Sequence, residues 1–162
     1  MQPQPFYLVC TNANNLAIQA GPSDGTTLTL QPLSVGNPLQ QWVMQAQVSG
    51  GFQGVALVNP ATGNSATYQG QFENLIMQPY SAGSGDSDSF LLLQADGAGD
   101  LRIALANNPG FSWNDRGGAF QPGDPICLWN DTAQNSVWTI QLATAAQVAV
   151  PAIAGEPAAA TA

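Results

Sequence analysis

The sequence repeats itself three times, with a period of 48 residues. The repeat is marked by aromatic residues inside short apolar runs, at Trp42, Phe90 and Trp138. The run that opens each unit recurs at the same spacing, as FYLVCTN (6–12), GVALVNP (54–60) and RIALANN (102–108). A fixed period of this length is typical of folds in which each copy is too small to bury a core alone and shares one with its neighbours.

Each unit is predicted to contain four short strands. The apolar runs are separated by clusters of glycine, asparagine, aspartate and proline, which favour turns. The second runs are less alike than the others and lie at 15–20, 64–69 and 110–115. The third runs match closely and read TLTLQP (27–32), NLIMQP (74–79) and PICLWN (125–130). Strands without helical periodicity predict a closed all-β architecture with pseudo-threefold symmetry, which leaves no exposed sheet edge.

One domain is expected over residues 1–142, followed by a tail. Its repeats are predicted at about 5–49, 50–97 and 98–142. In a threefold arrangement the repeated aromatics Trp42, Phe90 and Trp138 would converge on the axis and fill the core. The last segment, 143–162, is rich in alanine and proline and belongs to no repeat. It is predicted to be a C-terminal tail, whether a flexible end, part of a linker or an extended arm.

The charge of the chain excludes several classes of function. Only 7% of the residues are charged, the net charge is −8, and there is neither lysine nor histidine. With Arg102 and Arg116 as the cations, the chain cannot neutralise many phosphates, so binding to nucleic acid or to an anionic membrane is not expected. The lack of histidine and of any clear carboxylate pair argues against an enzyme and against a cofactor. Asparagine, glutamine, serine and threonine carry the polarity, and these side chains suit neutral polar ligands.

The two cysteines and one acidic loop do not predict a metal site or a disulfide. Cys10 and Cys127 lie in apolar runs without metal-ligand spacing, so both are expected to be buried thiols. The loop AGSGDSDS (82–89) alternates Asp86 and Asp88 but lacks the closing glutamate of a calcium loop, so a solvated loop is preferred.

Localisation is predicted from what the sequence lacks. No apolar run approaches the roughly 18–20 residues of a membrane span, which argues against membrane insertion. The first residues show no secretory leader. The expectation is a cytoplasmic protein or one released without a leader.

The marker aromatics also carry a family resemblance. Gln40, Gln41 and Trp42 form a full Q-x-W motif, whereas Trp138 and Phe90 keep the aromatic position without the glutamine. Three units of forty-odd residues that close in this way resemble the ricin-B-type β-trefoil lectins over roughly residues 5–142. The resemblance implies a β-trefoil fold. It also implies binding of galactose or N-acetylgalactosamine in a shallow pocket that can occur once per repeat.

The resemblance also implies which residues hold the sugar. The family pattern has an aspartate at the end of the second strand, an aromatic at the end of the third, and an Asn-Gln pair before the motif tryptophan. The third repeat fits this pattern best, and its implied carbohydrate-binding residues are Asn114, Asp115, Trp129, Asn135 and Ser136. Weaker candidates in the first repeat are Gln19, Gln31 and Gln40. In the second repeat the pattern falls on Thr67, Gln78, Ser87 and Asp88, with Tyr68 or Tyr80 as a ring from another angle.

Structural roles compete with binding at these positions. Trp129 could be a partly buried strand residue, Asn114 and Asp115 could form a turn, and Asn135 could support the loop before Trp138. A second tryptophan so close to Trp138 exceeds what the core of one small repeat needs, which favours a binding role for Trp129.

Three functions remain open at this point. A lectin for glycans or glycoproteins is favoured, and with one working site per chain it would need at least a homodimer to agglutinate cells. The first alternative is a protein-binding scaffold such as a protease inhibitor, with the inhibitory loop at 82–89 or 107–110. The second is the binding module of a toxin or an enzyme.

Overall fold

The computed structural model describes residues 3–144, apart from residues 14, 50, 84–86, 96, 98 and 131–133. Within this part of the chain there are twelve β-strands and two short 3-10 helices, Pro38–Gln40 and Gln134–Ser136. The strands are β1 (Phe6–Cys10), β2 (Leu16–Gln19), β3 (Thr29–Pro32), β4 (Val43–Ser49), β5 (Phe52–Val58), β6 (Asn64–Thr67), β7 (Ile76–Pro79), β8 (Phe90–Gln94), β9 (Asp100–Leu105), β10 (Asn108–Asp115), β11 (Ile126–Trp129) and β12 (Trp138–Leu142).

Six of the strands close into an antiparallel barrel. They follow one another around it in the order β1, β12, β9, β8, β5 and β4. The ring closes where Phe6 and Trp42 exchange backbone hydrogen bonds of 2.9 and 2.8 Å. Closure pairs the barrel strands on both sides, so the barrel presents no free edge to another chain.

The other six strands form three hairpins, one from each repeat. The hairpins are β2–β3, β6–β7 and β10–β11, and each is antiparallel. Isolated bridges join each hairpin to the next, through Thr27 and Ile76, Asn74 and Cys127, and Thr29 and Pro125. A six-stranded barrel with a triangle of three hairpins is a β-trefoil, which confirms the predicted fold class.

The repeated aromatics fill the core, as predicted. Trp42, Phe90 and Trp138 are completely buried in one hydrophobic cluster. Between two of them lies Trp113, whose ring centroid is 6.4 Å from that of Trp42 and 5.2 Å from that of Phe90. Each such ring contributes roughly 1.5–3 kcal/mol to folding by burial alone.

The central place of Trp113 was not predicted, because the repeat does not conserve its size. The strand registers put Ile18 and Ala66 at the equivalent positions of the first and second hairpins. A small residue in one repeat leaves space that a large one from another repeat must fill, since protein cores are close-packed. The pseudo-threefold symmetry of the backbone therefore does not extend to the core side chains.

The two cysteines are buried and unpaired, as predicted. Burial raises the pKa of both the Cys10 and the Cys127 thiols above their ordinary value. Both side chains therefore act as small apolar groups.

The two ends of the described chain meet beside the barrel. The backbone N–H of Ala143 donates to the carbonyl of Pro5 at 2.9 Å, and the side chain of Gln4 donates to the carbonyl of Ala143 at 3.1 Å. Ala143, the first residue of the predicted tail, is thus hydrogen-bonded to the residues that precede β1. The rest of the predicted tail, residues 145–162, lies outside the described residues, as does Asp86 of the acidic loop. None of the helices in the described part is long and apolar enough to cross a bilayer.

Candidate functional site

Two asparagines of the third repeat are joined directly. Asn114 lies near the end of β10, and Asn135 lies in the 3-10 helix that precedes β12. The side-chain amide of Asn135 donates to Asn114 Oδ1 at 2.8 Å and to the carbonyl of Asp115 at 3.2 Å. The structure therefore brings together the two positions that the resemblance assigns to hydroxyl recognition.

These two side chains retain unused hydrogen-bonding atoms. Asn114 Nδ2 and Asn135 Oδ1 are buried and have no hydrogen-bond partner in the described part of the chain. Asn114 as a whole is only 3% exposed. An unmet buried polar atom costs about 1–3 kcal/mol, and such atoms are rare in folded proteins. One is a donor and the other an acceptor, a combination that a ligand hydroxyl can satisfy.

Trp129 stands on the same face of the hairpin as Asn114. In the register of β10 and β11, Trp129 lies opposite Ser112, and Cys127 lies opposite Asn114. Side chains alternate between the two faces of a strand, so Trp129 and Asn114 are diagonal neighbours on one face, and Trp113 points to the core from the other. Trp129 is 38% exposed. A flat aromatic surface is therefore available beside the amides.

A phenylalanine from the second repeat packs against Trp129. The ring of Phe72 meets Trp129 at a centroid distance of 4.6 Å and an interplanar angle of 68°. Phe72 also contacts Phe111 of β10, at 5.8 Å and 67°. Edge-to-face pairs of this kind contribute about 0.5–1.5 kcal/mol beyond the area they bury. The candidate site thus includes a residue from a neighbouring repeat.

Phe72 occupies a backbone position that the other repeats fill with glycine. The equivalent residues donate their N–H groups to the next hairpin at 2.8–2.9 Å, and they are Gly25, Phe72 and Gly123. Their φ angles are 75°, 66° and 96°. Glycine adopts a positive φ freely, whereas a bulky residue there is strained by about 1–3 kcal/mol. Phe72 thus combines a strained backbone with a ring contact to Trp129.

Asp115 has a structural role as well as a place near the site. It is fully buried, and its Oδ2 accepts the backbone N–H of Phe120 at 2.8 Å. Burial raises the pKa of Asp115 to about 6; the Phe120 N–H opposes the shift, and the carboxylate of Asp124 adds to it. Its other oxygen, Oδ1, has no partner in the described residues. Ser136, the residue after Asn135, is also completely buried.

The first repeat closes its equivalent positions with internal hydrogen bonds. Gln40 is buried; its amide donates to Pro32 O at 2.9 Å and to Gln19 Oε1 at 3.4 Å, and it accepts from Ser34 N at 2.8 Å. Gln19 Oε1 also accepts from Asn37 at 3.1 Å. Gln31, at the aromatic position, donates to the hydroxyl of Thr29 on its own strand at 3.3 Å. Gln40 is thus held by backbone groups and by Gln19 of its own repeat.

The second repeat has a polar side chain at the aromatic position. Gln78 lies opposite Ser65 in the β6–β7 register and is exposed. Asp88 is buried and accepts hydrogen bonds from Gln47 of β4 at 2.9 Å and from Ser65 of β6 at 3.2 Å. Its carboxylate therefore links these two strands. The third repeat is thus the repeat with an aromatic residue at this position.

No protein-family model matches the sequence, and no curated protein is significantly similar to it. Solved structures do match in fold. One is the designed threefold-symmetric protein ThreeFoil, with a TM-score of 0.71, 19% identity, and coverage of 85% of this chain and 97% of that chain.

Natural lectins match equally well. The Macrolepiota procera ricin B-like lectin, solved with lactose, has a TM-score of 0.69 and 17% identity, covering 87% of this chain and 96% of that chain. The C-half of the earthworm R-type lectin, solved with GalNAc, has a TM-score of 0.67 and 14% identity, covering 86% and 99%. The fold of this chain is therefore that of the ricin B-like lectins, as the sequence resemblance implied.

Proposed function

We propose that the protein is a carbohydrate-binding lectin that recognises galactose- or N-acetylgalactosamine-type glycans through a shallow site in the third repeat. One observation carries the proposal. The partly exposed ring of Trp129 stands beside the Asn114–Asn135 pair, which holds one unpartnered donor and one unpartnered acceptor.

The chemistry of a sugar fits this arrangement. The apolar face of a pyranose packs on an aromatic plane, here Trp129. A ring hydroxyl can accept from Asn114 Nδ2 while it, or its neighbour, donates to Asn135 Oδ1. The family aspartate would be a charged acceptor, and a neutral amide makes a weaker hydrogen bond than a carboxylate. Binding by a single site is therefore expected to be weak.

The choice of sugar is supported by the matching lectins, one of which was solved with lactose and the other with GalNAc. Glycoproteins that display such sugars are the proposed partners. Homodimer formation would raise the effective affinity for them by bringing two sites to one surface. The proposed activity is binding.

A glycan array tests the proposal. The purified protein is compared with Trp129→Ala and with Gln78→Ala, which alters the matching exposed position of the second repeat. The proposal expects signal on terminal galactose or GalNAc glycans that is lost in Trp129→Ala and kept in Gln78→Ala.

Two results would contradict it. A blank array from protein with a cooperative unfolding transition would remove the lectin function and redirect the search to protease inhibition. Signal that survives Trp129→Ala would place the site in another repeat.

A further inference from the structure

An open cleft lies between the second and third repeats, beside the proposed site. Its volume is about 350 Å³. The residues that line it come from the start of β5, the loop after β6, the end of β9, the following turn and the first half of β10, and they are Phe52, Tyr68, Gln71, Leu105, Asn107, Asn108 and Phe111. The cleft therefore belongs to neither repeat alone.

The lining of the cleft has the chemistry of a sugar site. It combines three aromatic rings with three side-chain amides, and none of the lining residues carries a charge. Rings offer a surface to the apolar face of a pyranose, and amides can both donate to and accept from hydroxyls. A charged ligand would find no counter-ion there. Phe52 is 45% exposed, so a large apolar ring faces solvent at the rim.

The cleft is continuous with the ring of Trp129. Phe111 lines the cleft and contacts Phe72, and Phe72 contacts Trp129, at ring-centroid distances of 5.8 and 4.6 Å. Phe72 is itself 38% exposed. A series of edge-to-face ring contacts thus runs from Trp129 across the boundary between repeats to Phe111 in the cleft.

The residue that makes this continuity, Phe72, also has a strained backbone. Its positive φ of 66° is found at glycine in both other repeats. A bulky residue there is strained, and strained residues cluster at ligand sites. Without the Phe72 ring, the series of ring contacts would be interrupted between Trp129 and Phe111.

We infer that the cleft is a second pyranose subsite and that the protein binds an oligosaccharide laid from Trp129 over Phe72 to Phe52. This inference rests on the proposed lectin function. It adds that the ligand is an extended glycan, with one residue held at Trp129 and a further neutral residue held in the cleft.

The test is calorimetric titration with ligands of increasing length: galactose, lactose and a galactose-terminated tetrasaccharide. Four proteins are compared: the unaltered chain, Phe52→Ala, Trp129→Ala and Val35→Ala. Val35 is an exposed apolar residue in the first repeat and serves as the matched control.

The unaltered chain is expected to bind the tetrasaccharide at least about tenfold more tightly than galactose. Phe52→Ala should lose that gain and keep its affinity for galactose, Trp129→Ala should bind none of the three, and Val35→Ala should behave as the unaltered chain. Asn108→Ala, at an exposed cleft position, repeats the test of the subsite should Phe52→Ala unfold.

Failure of this inference differs from failure of the lectin function. Binding that depends on Trp129 but not on ligand length or Phe52 overturns the second subsite alone. Equal losses for galactose and tetrasaccharide in Phe52→Ala also overturn it, because the cleft would then not be a separate subsite. No binding of any glycan by the unaltered chain overturns both.

Discussion

The first and third repeats have the same backbone arrangement and differ in whether the hydrogen-bonding atoms of their polar side chains have partners. In the first, Gln40 bonds to Gln19, Pro32 and Ser34 and lies buried. In the third, Asn135 bonds to Asn114, yet each of these residues keeps one buried atom without a partner in the described chain. The longer glutamine reaches backbone groups that stabilise its own repeat.

The ring at the end of the third strand separates the two repeats further. Gln31 and Trp129 occupy the same register position, opposite Ala17 and Ser112. Polar side chains that are hydrogen-bonded within their own repeat stabilise the fold. An amide pair with unpartnered atoms beside an exposed ring is suited to bind a ligand. The equivalent positions exist in both repeats, and the residues that fill them and the hydrogen bonds they make distinguish the two repeats.

The largest difference between the two repeats is expected when their equivalent polar residues are replaced, starting with Asn135→Ala. The change removes the donor to Asn114 and one proposed ligand contact, so glycan affinity should fall at least about 100-fold. Gln40→Ala should instead destabilise the fold by about 1–3 kcal/mol, because it leaves buried groups unpaired, and leave glycan affinity unchanged. Titration and thermal unfolding of both variants measure the two effects. If Gln40→Ala weakened binding as much as Asn135→Ala, the first repeat would have to be counted as a site.

A second large effect concerns pH, through Asp115, which has Ala20 as its counterpart in the first repeat. Its folded pKa of about 6 lies above the ordinary carboxyl value of 3.8. The folded state therefore binds the Asp115 proton more tightly than the unfolded state does. The stabilisation that protonated Asp115 contributes is full below about pH 4 and is lost as the pH rises through 6.

Asp115→Asn should remove this pH dependence and raise the unfolding temperature at pH 7, since its side-chain oxygen can still accept from Phe120. Denaturation curves at pH 4.5 and 7 provide the measurement. An unchanged difference between the two pH values in the variant would assign the pH effect to another carboxyl.

A smaller effect is expected where the loop after β10 approaches Asn135. A Cβ on Gly118 would lie 3.3 Å from Asn135 Nδ2, and its φ is 66°, whereas Gly117 has a φ of 95° and open space around it. Gly118→Ala should destabilise the fold by about 1 kcal/mol and weaken glycan binding several-fold by displacing Asn135.

Gly117→Ala is the matched control, with the same kind of backbone strain but no contact with the site. It should lose comparable stability and keep its affinity. Equal affinities of the two variants would show that the contact with Asn135 is unimportant.

The smallest change in stability is expected from Phe72→Gly, which gives the second repeat the glycine of the other two. Relief of the positive φ offsets the loss of ring contacts, so the free energy of unfolding should change by no more than about 1 kcal/mol. Gly25→Ala, the opposite kind of change in the first repeat, should destabilise by about 1 kcal/mol. Urea denaturation of both variants checks this balance. A loss above about 3 kcal/mol in Phe72→Gly would make Phe72 a core residue.

The period of the sequence was sufficient to predict a closed all-β fold with threefold symmetry, four strands per repeat and buried aromatics, and the Q-x-W resemblance implied the trefoil. Period and spacing describe equivalent positions, and Trp42, Phe90 and Trp138 are equivalent. Contacts between non-equivalent positions leave no trace in the period or the spacing. Trp113 fills space beside the second repeat because Ala66 is small, and Phe72 reaches Trp129 across a repeat boundary. A phenylalanine aligned with glycines at 25 and 123 was the signal available in the sequence for the second contact.

The hydrogen bonds between Ala143, Pro5 and Gln4 have a consequence for how the domain could be rebuilt. The two ends of the trefoil lie side by side on paired strands, so a short linker could join them and the chain could be opened at an exposed turn elsewhere. Such a circular permutant would keep every strand pairing and would exchange which repeat comes first. The order of the repeats in the gene is thus separable from the fold, and the third repeat could be encoded first with its proposed site intact.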